Sequence, residues 1–473
     1  MRTYIKNLSE AKGSEVTING WVDVARNQGK MAFFDFRDMT GKVQGVVFGK
    51  PDVLEVAKTL RPEWVVAVTG IVNERPPKMV KADVLNGDIE LEITKIEVLN
   101  MAETPAFEVT ESSADINEEV RLKNRYVDLR TERMQSNMRM RGKVANMIRA
   151  ELGAQDFTEV ETPLFTRSTP EGARDYVVPS RLVPGHFYAL PQSPQQYKQL
   201  LMAGGMEKYF QMAHCMRDED LRGDRQPEFT QMDLEMSFAT EEEIMEINEK
   251  LLIKIVETLY PEKKIQEVPF PRITYKDAME NYGSDAPDFR EDKEDKNTLA
   301  FGWVVDFPFF EKTAKSDDPQ AQGEWTFTHN PFSLSKPEHL ENLKNKENIG
   351  EIMASQYDIV LNGYEIGGGS IRAHDPEVLR SILQILGHSD EKIDENFSHM
   401  LKALGSGCPP HGGIAWGFDR LMMILQGEPN IREVIAFPKT RGGRDPLMDA
   451  PAKIAEKQLD ELHLKLENIK EEE

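Results

Sequence analysis

Residues 210–238 constrain the fold of this chain more than any other stretch, and they read FQMAHCMRDEDLRGDRQPEFTQMDLEMSF. The two ends of the stretch alternate apolar and polar residues, whereas its middle is rich in charge. Alternation of this kind predicts two strands. Gly223 and Pro227 supply the residues that a turn between them needs. The sequence therefore predicts a hairpin near the middle of the chain.

The charged loop between the two predicted strands also has the composition of a nucleotide-binding site. Most charged runs are solvated loops whose charges compensate one another. Here, alternation points Arg217 and Glu219 the same way. An arginine can grip phosphate through two parallel hydrogen bonds, and Glu219 could accept from an adenine amino group. Phe229 could stack on a planar base or pack against an arginine.

The segment RDEDLRGDRQPEFTQMD resembles motif 2 of the class II aminoacyl-tRNA synthetases, and its wording is similar to that of bacterial-type aspartyl-tRNA synthetases. The resemblance implies that this segment binds ATP and that Arg217 and Glu219 take part in catalysis. The ATP-binding residues that it implies here are Arg217, Asp218, Glu219, Gln226 and Phe229.

Length and composition set the outer limits. A chain of 473 residues is expected to form two or three domains. It has no run of about 18 apolar residues that could span a membrane, and its polar start does not resemble a secretory signal. Cys215 and Cys408 lack metal-ligand spacing, so we expect two buried free thiols in a reducing cytoplasm.

Residues 1–105 are predicted to form an all-β domain. Strands are expected at 16–22, 32–36, 43–48, 65–72 and 89–98, with a helix at 53–60. This pattern fits an OB-fold, a partly open barrel that binds oligonucleotides. Alternation places Phe34 and Phe36 on one face and Phe33 on the other, so only one set can be core. A surface aromatic residue suits the stacking of an unpaired base.

The resemblance implies that this barrel reads a tRNA anticodon. A formal net charge of −23 argues mildly against a nucleic-acid partner, although a few placed cations are enough. In this role, Phe33 would stack on an anticodon base. The sequence leaves open whether the enzyme aminoacylates tRNA-Asn as well as tRNA-Asp. The anticodon residues implied are Arg26, Gln28, Phe33, Gln44 and Glu90.

The remaining domains follow from pattern and resemblance together. We expect a hinge at 106–135, a class II catalytic core at 136–450, and a C-terminal helix with an acidic tail at 451–473. The core should be a mostly antiparallel sheet flanked by helices, which makes the whole chain α+β. A strand ending at Pro163 resembles motif 1 and implies a homodimer. The charged loop 284–297 resembles what is left where the family carries an inserted domain.

Two residues predict an anionic substrate. Lys198 follows the start of a predicted helix, a position that suits an anion, although an exposed helix lysine is the plainer explanation. Arg372 offers a fork that matches a side-chain carboxylate. The resemblance implies L-aspartate as the substrate and Glu171, Gln195, Lys198, Arg217, Gln231, His329 and Arg372 as its contacts.

Asp358 and Glu365 are candidates for a metal site. They are seven positions apart, so strict alternation would put them on opposite faces of one strand. A turn or bulge at Asn362-Gly363 would make two strands and could bring both carboxylates into one site. Paired carboxylates near a triphosphate favour Mg²⁺.

The last motif lies at 412–421 and reads GGIAWGFDRL. An apolar strand is predicted to end at a glycine, and Asp-Arg to open a helix. The segment resembles motif 3, which implies that Arg420 is catalytic and meets the ATP phosphates. The residues implied for ATP here are Glu365, Gly417, Phe418, Asp419 and Arg420.

Together these features imply an enzyme that activates L-aspartate with ATP and transfers it to tRNA. Asparaginyl-type and lysyl-type synthetases share the same parts, but Lys198 and Arg372 favour an anionic substrate. An asparagine synthetase built on the same core would not need the N-terminal barrel. A non-catalytic RNA-binding paralogue would not need Arg217, Glu219, Glu365 and Arg420.

Overall fold

The computed structural model describes residues 2–168, 171–313 and 323–467. The predicted acidic tail lies largely outside these ranges. The chain forms two compact units, and one comprises Met1–Ile116 with Tyr126–Thr131. The other comprises Asn117–Arg125 with Glu132–Glu473.

The N-terminal unit is a five-stranded barrel, as the sequence predicts. Its strands are β1 (Glu15–Gln28), β2 (Met31–Asp38), β3 (Gly41–Phe48), β4 (Val65–Glu74) and β5 (Ile89–Asn100), and helix α1 (Pro51–Thr59) follows the third strand. The order β1-β2-β3-β5-β4 is closed, whereas the prediction was a partly open barrel. Closure results because β1 pairs with both β2 and β4, while β3 pairs with β5.

Alternation along β2 fixes the barrel core. Phe34 and Phe36 are completely buried, and their rings stack with centroids 5.6 Å apart. Phe33 points to the other face and is half-buried. The OB-fold prediction is therefore confirmed, and Phe33 remains available on the outside of the barrel.

The catalytic unit consists of helices packed around one large sheet. Its helices are α2 (Glu118–Lys123), α3 (Arg125–Asp128, which groups with the barrel from Tyr126), α4 (Glu132–Gly153), α5 (Gln195–Ala203), α6 (Glu241–Leu259), α7 (Tyr275–Tyr282), α8 (Leu340–Asn345), α9 (Pro376–Ile385), α10 (Asp390–Leu404), α11 (Phe418–Gln426) and α12 (Glu456–Glu461). None of the helices in the described ranges combines the length and the apolar character that a bilayer crossing requires.

The strands of this unit are β6 (Thr158–Glu159), β7 (Val177–Pro179), β8 (Phe187–Ala189), β9 (Lys208–Met216), β10 (Glu228–Ser237), β11 (Lys264–Ile265), β12 (Arg272–Thr274), β13 (Thr298–Leu299), β14 (Phe301–Val305), β15 (Phe310–Lys312), β16 (Trp325–Phe327), β17 (Gln356–Leu361), β18 (Tyr364–Ile371) and β19 (His411–Gly417). Eight of them form a sheet in the order β12-β14-β17-β18-β19-β10-β9-β6. Only its two edge pairs are parallel, so the predicted mostly antiparallel sheet is confirmed.

The central hairpin predicted from residues 210–238 is strands β9 and β10, which pair from Glu228 opposite Met216 to Met236 opposite Lys208. Their apolar positions Phe210, Met232 and Leu234 are almost fully buried. The hairpin is followed by α6, which begins at Glu241 because Thr240 and Glu243 form a reciprocal capping box.

The motif 1 strand is shorter than predicted: it ends at Glu159 rather than Pro163, and proline has no N–H to extend a ladder. Strand β14 ends at Val305, and the next residue, Asp306, adopts a φ of 59°. The helix predicted within 451–473 covers Glu456–Glu461. The thiol of Cys408 is half-buried, while that of Cys215 is buried as expected.

The β17–β18 hairpin turns at Asn362 and Gly363, both with positive φ, as a tight two-residue turn requires. A register shift lies between Ile359 and Val360: Ile359 pairs with Gly367, and Val360 pairs with Glu365. The shift leaves one residue of β18 without a partner. As a result, Glu365 lies on the same face as Asp358 rather than the opposite one.

Candidate active site

A cavity of about 360 Å³ opens on the face of the large sheet. Its walls come from the β9–β10 hairpin, the start of α5, the β17–β18 hairpin and the β19–α11 junction. The predicted site residues that line it are Gln195, Lys198, Arg217, Glu219, Gln226, Phe229, Gln231, His329, Asp358, Glu365, Arg372, Gly417, Asp419 and Arg420.

Three predicted site residues do not line the cavity wall. Glu171 lies one contact away and accepts a hydrogen bond of 2.8 Å from the hydroxyl of Ser193, which does line the cavity. Asp218 is near Arg174, with a nitrogen–oxygen distance of 3.8 Å. Phe418 is buried in the core, because the residue that opens α11 points away from the cavity.

One end of the cavity holds a buried cluster of two cations and two carboxylates. The ammonium of Lys198 lies 2.7 Å from Asp233 and 3.1 Å from Glu235. Arg372 donates two hydrogen bonds to Glu235, at 2.9 and 3.1 Å, and a third to the hydroxyl of Ser370 at 2.7 Å. All four charged side chains are at most 3% exposed. The four charges balance when all four groups are ionised, and both Lys198 and Arg372 line the cavity.

The pKa values of the two carboxylates in this cluster are shifted in opposite directions. Burial alone would raise the pKa of Glu235, but the charges of Arg372 and Lys198 outweigh it and lower that pKa to about 2. Burial raises the pKa of Asp233 despite its contact with Lys198. One oxygen of Asp233 has no hydrogen-bond partner within the described residues, which leaves an acceptor near the cavity.

Asp233 and Glu235 were not predicted from the sequence. A signal was present, because they lie two residues apart on a strand whose opposite face carries Met232, Leu234 and Met236, and a carboxylate in a buried strand is rarely without a partner. Gly413 also belongs to this arrangement. A Cβ at that position would overlap the carboxylate of Glu235, so the close approach of β19 requires glycine.

The other end of the cavity combines an aromatic ring with arginines. The guanidinium of Arg217 lies 5.2 Å from the ring centre of Phe229. Arg420 donates to the backbone carbonyl of Glu365 and, at 3.1 Å, to Asp224. Glu219 pairs with Arg225 at 3.4 Å. This end therefore offers a planar stacking surface beside groups that bind phosphate.

Asp358 and Glu365 meet in the same cavity, as the register shift requires. Asp358 is 2% exposed. Burial, and then the neighbouring charge of Glu365, raise its pKa well above the ordinary value. A Cβ on Gly368 would lie 2.8 Å from Asp358, so the backbone leaves room here. A divalent cation would relieve the repulsion between the two carboxylates.

The described residues contain no group of three or more histidine, cysteine, aspartate or glutamate side chains that could hold a metal by themselves. Mg²⁺ is commonly held by only one or two carboxylates together with substrate phosphates. The pair of Asp358 and Glu365 fits that requirement and does not fit a closed structural zinc site.

His329 lies beside this pair. Its ring packs edge-on against Phe307, with centroids 4.7 Å apart, and its Nδ1 is 4.0 Å from Asp358. Burial lowers the pKa of His329, so the imidazole is neutral at neutral pH. The adjacent Asn330 donates a long hydrogen bond of 3.4 Å to Gln195.

The five residues predicted to contact RNA lie in the barrel, and pairing places them together. Arg26 is opposite Phe33, and Asp35, which is ion-paired to Arg26, is opposite Gln44. The pairing of β3 with β5 sets Glu90 beside Gln44. Gln28 lies two residues beyond Arg26, so all five share the outer face of the barrel.

Comparisons with known proteins agree with this geometry. Residues 117–441 match the family described as tRNA synthetases class II (D, K and N), and residues 16–99 match the OB-fold nucleic acid binding domain. The chain is 39% identical to an aspartate–tRNA(Asp/Asn) ligase of Corynebacterium jeikeium, over 94% of both chains. It is 37% identical to an aspartate–tRNA ligase of Macrococcus caseolyticus, over 96% of both.

Solved structures show the same fold at lower identity. An asparaginyl-tRNA synthetase from Pyrococcus horikoshii in complex with asparaginyl-adenylate is similar with a TM-score of 0.73 and 22% identity, over 93% of this chain and 98% of that one. An aspartyl tRNA synthetase from Entamoeba histolytica is similar with a TM-score of 0.71 and 23% identity, over 93% and 91%.

The curated relatives also contain residues that this chain lacks, because the alignment to the Corynebacterium jeikeium protein spans 568 positions and the chain has 473 residues. On the strength of its matched length and its identity to these relatives, the chain belongs to the class II tRNA synthetases of the D, K and N group.

Proposed function

We propose that this synthetase activates L-aspartate with ATP and transfers it to tRNA-Asp. The observation that carries the proposal is the buried Lys198–Arg372 pair at one end of a cavity whose other end holds Arg217, Phe229 and Arg420. The family relationship makes the chain an aminoacyl-tRNA synthetase, and the cations favour an acidic amino acid.

Selection of the amino acid rests on charge. The side-chain carboxylate of aspartate would accept charge-assisted hydrogen bonds from Lys198 and Arg372. Asparagine has nearly the same shape but no charge, so it would leave part of that stabilisation unrealised. A lysine substrate would place a third cation beside the first two.

Activation follows from positioning and charge. An oxygen of the α-carboxylate attacks the α-phosphorus of ATP, the bond from that phosphorus to the bridging oxygen breaks, and pyrophosphate leaves. Arg217 would stabilise charge on the transferring phosphate, and Arg420 would hold the outgoing pyrophosphate. Mg²⁺ held by Asp358 and Glu365 would neutralise phosphate charge. No protein nucleophile is needed.

Transfer uses the tRNA. A hydroxyl of its terminal ribose attacks the carbonyl carbon of the aspartyl-adenylate, and AMP leaves. The outer face of the barrel would read the anticodon, with Phe33 stacking on one base and Arg26, Gln28, Gln44 and Glu90 contacting the others. On this outer face of the barrel, the charge of Arg26 is compensated by its ion pair with Asp35.

Assembly and location complete the proposal. The segment that ends at Pro163 resembles motif 1 and supports a homodimer, and the free thiols of Cys215 and Cys408 support a cytoplasmic protein. We also propose that the loop 284–297 occupies the position at which the relatives carry an inserted domain.

Two measurements test the proposal. ATP–pyrophosphate exchange should depend on L-aspartate and be much weaker with asparagine or lysine. Aspartylation of separate tRNA-Asp and tRNA-Asn transcripts then decides specificity, because relatives named aspartate–tRNA(Asp/Asn) ligases make charging of both a specific second candidate. Exchange with asparagine at least as strong as with aspartate would refute the substrate assignment, and charging of neither tRNA would refute the transfer step.

A further inference from the structure

Residues 428–436, here called the prop segment, follow α11 and support the nucleotide end of the cavity. Ile431 lines the cavity. Its backbone N–H donates a hydrogen bond of 3.0 Å to the carbonyl of Gly223, and Arg432 donates a long one of 3.5 Å to the carbonyl of Arg222. Both acceptors lie in the loop between β9 and β10, so the prop segment fixes that loop from behind.

The same loop carries the groups that face the nucleotide. Asp224 accepts from Arg420 at 3.1 Å. Gln226 lines the cavity, and its side-chain amide exchanges two hydrogen bonds with the backbone of Lys439, at 2.7 and 3.1 Å. A displacement of the prop segment would therefore move the loop, and with it the arginine that we assign to the phosphates.

The prop segment is itself held by side chains from a distant part of the sequence. Arg121 makes a bidentate pair with Glu433, at 2.9 and 2.8 Å, and the two side chains are 5% and 3% exposed. Arg133 bonds to Glu433 and also to Glu428 at 3.0 Å. A bidentate pair fixes direction as well as distance, so Arg121 defines where the segment lies.

Further bonds come from the same region. Arg125 is almost completely buried and donates to the backbone carbonyls of Arg432, Ile435 and Ala436 at 2.8, 2.8 and 2.9 Å. Asn137 bonds to the side chain of Glu428 at 2.7 Å and to the carbonyl of Glu433 at 3.1 Å. All four holding residues lie between positions 121 and 137, immediately after the barrel domain.

The aspartate end of the cavity is supported differently. Asp233 and Glu235 are held on β10, and Arg372 directly follows β18. Within the described ranges, the prop segment makes no hydrogen bond or ion pair to Lys198, Asp233, Glu235 or Arg372. The prop segment therefore contacts the nucleotide end of the cavity and not the cluster at the aspartate end.

We propose that Arg121 and Glu433 are positioning residues for ATP. They hold the prop segment and, through it, the β9–β10 loop, and they set the affinity for ATP without touching either substrate. The interpretation in terms of ATP rests on the proposed function. Because the positioning acts only on the nucleotide end of the cavity, loss of either residue should change the KM for ATP and leave the KM for aspartate unchanged.

The test uses the full-length protein with Glu433→Gln, which keeps shape but removes charge, and Arg121→Lys, which keeps charge but removes the fork. We expect the KM for ATP in pyrophosphate exchange to rise about tenfold, since a misplacement of about 1 Å can cost on the order of a hundredfold. The KM for aspartate should stay within about twofold. Asn137→Ala, which removes only neutral donors, should shift the KM for ATP in the same direction by less.

A destabilised but unrelated variant controls for loss of stability. Leu252→Ala empties part of the buried core and should lower the melting temperature, while both KM values stay unchanged. An equal rise in both KM values in the Arg121 and Glu433 variants, or a fall in melting temperature alone, would overturn the proposal.

Direct ATP binding, measured by calorimetry without aspartate, separates this inference from the proposed function. A weaker Kd for ATP in folded Arg121→Lys supports positioning even if the amino acid assignment fails. An unchanged Kd refutes positioning even if aspartate-dependent exchange is present in the wild type.

Discussion

Replacing Arg372 with leucine tests the assignment of the substrate most directly. The change removes one of the two cations from the cluster of Lys198, Asp233 and Glu235. The pKa of Glu235 falls from an ordinary 4.5 to about 2 in the folded protein, and one pKa unit corresponds to about 1.4 kcal/mol. The depressed pKa therefore contributes about 3 kcal/mol to the free energy of unfolding at neutral pH.

The sign of the pH dependence follows from that depression. A carboxylate whose pKa is lower in the folded protein stabilises it fully above the unfolded value of 4.5, and the stabilisation is lost as the pH falls towards 2. Arg372→Leu raises the pKa of Glu235, so its midpoint of acid unfolding should move to higher pH. At neutral pH the variant should lose about 3–5 kcal/mol of stability, since one buried charge loses a partner.

The effect on activity should be confined to the amino acid. We expect kcat/KM for aspartate in ATP–pyrophosphate exchange to fall at least about a hundredfold, which corresponds to roughly 3 kcal/mol for a buried charged hydrogen-bonded pair. The KM for ATP should stay unchanged. Arg372→Lys should lie in between, because it keeps the charge but not the planar fork.

A matched arginine outside the cavity provides the control. Arg290 makes a comparable bidentate pair with Asp288, at 3.0 and 2.7 Å, and does not line the cavity. Arg290→Leu should leave the KM for aspartate unchanged. An unchanged KM for aspartate in folded Arg372→Leu, or the same loss of activity in both variants, would refute the reasoning.

Three further substitutions probe the remaining assignments. Phe33→Leu should lower aspartylation of tRNA at least about tenfold, since base stacking is worth about 1–3 kcal/mol, while exchange without tRNA stays intact; a loss of both would contradict an anticodon role. Phe229→Leu should raise the KM for ATP severalfold without changing the KM for aspartate, and a shift in the latter alone would count against the nucleotide end. Asp358→Asn should raise the Mg²⁺ concentration needed for half-maximal exchange, and an identical Mg²⁺ titration would remove Asp358 from the metal site.

Much of the fold could be predicted because local patterns determined it. The alternation along residues 210–238 predicted strands β9 and β10, and the alternation of Phe33, Phe34 and Phe36 predicted that Phe33 lies on the opposite face from the other two rings. The Asn362–Gly363 turn was predictable from backbone chemistry. In each case the signal lies within a few consecutive residues.

The parts that escaped prediction depend on partners far away in sequence. Burial of Glu235 depends on Arg372 and on a bare Gly413, which no local pattern connects to it. The pattern up to Pro163 likewise does not show that the pairing of β6 with β9 stops at Glu159. A turn or bulge was anticipated between Asp358 and Glu365, but only the register of β17 against β18 shows which residue is skipped.

The way the prop segment is held has a consequence for recombining this enzyme with its relatives. The residues that join the barrel to the catalytic sheet look like a spacer, and a chimera would naturally be joined anywhere among them. Residues 117–125, however, group with the core rather than with the barrel, and Arg121 and Arg125 are matched to the chain around Glu433. A crossover placed before residue 117 exchanges the barrel strands and keeps Arg121 and Arg125 with the chain around Glu433, although Tyr126–Thr131, which group with the barrel, then stay with the core. A crossover placed after residue 133 also replaces the arginines that hold that chain. To keep these contacts, the boundary between exchanged parts must therefore lie in the first part of the predicted hinge, before residue 117, and not at its end.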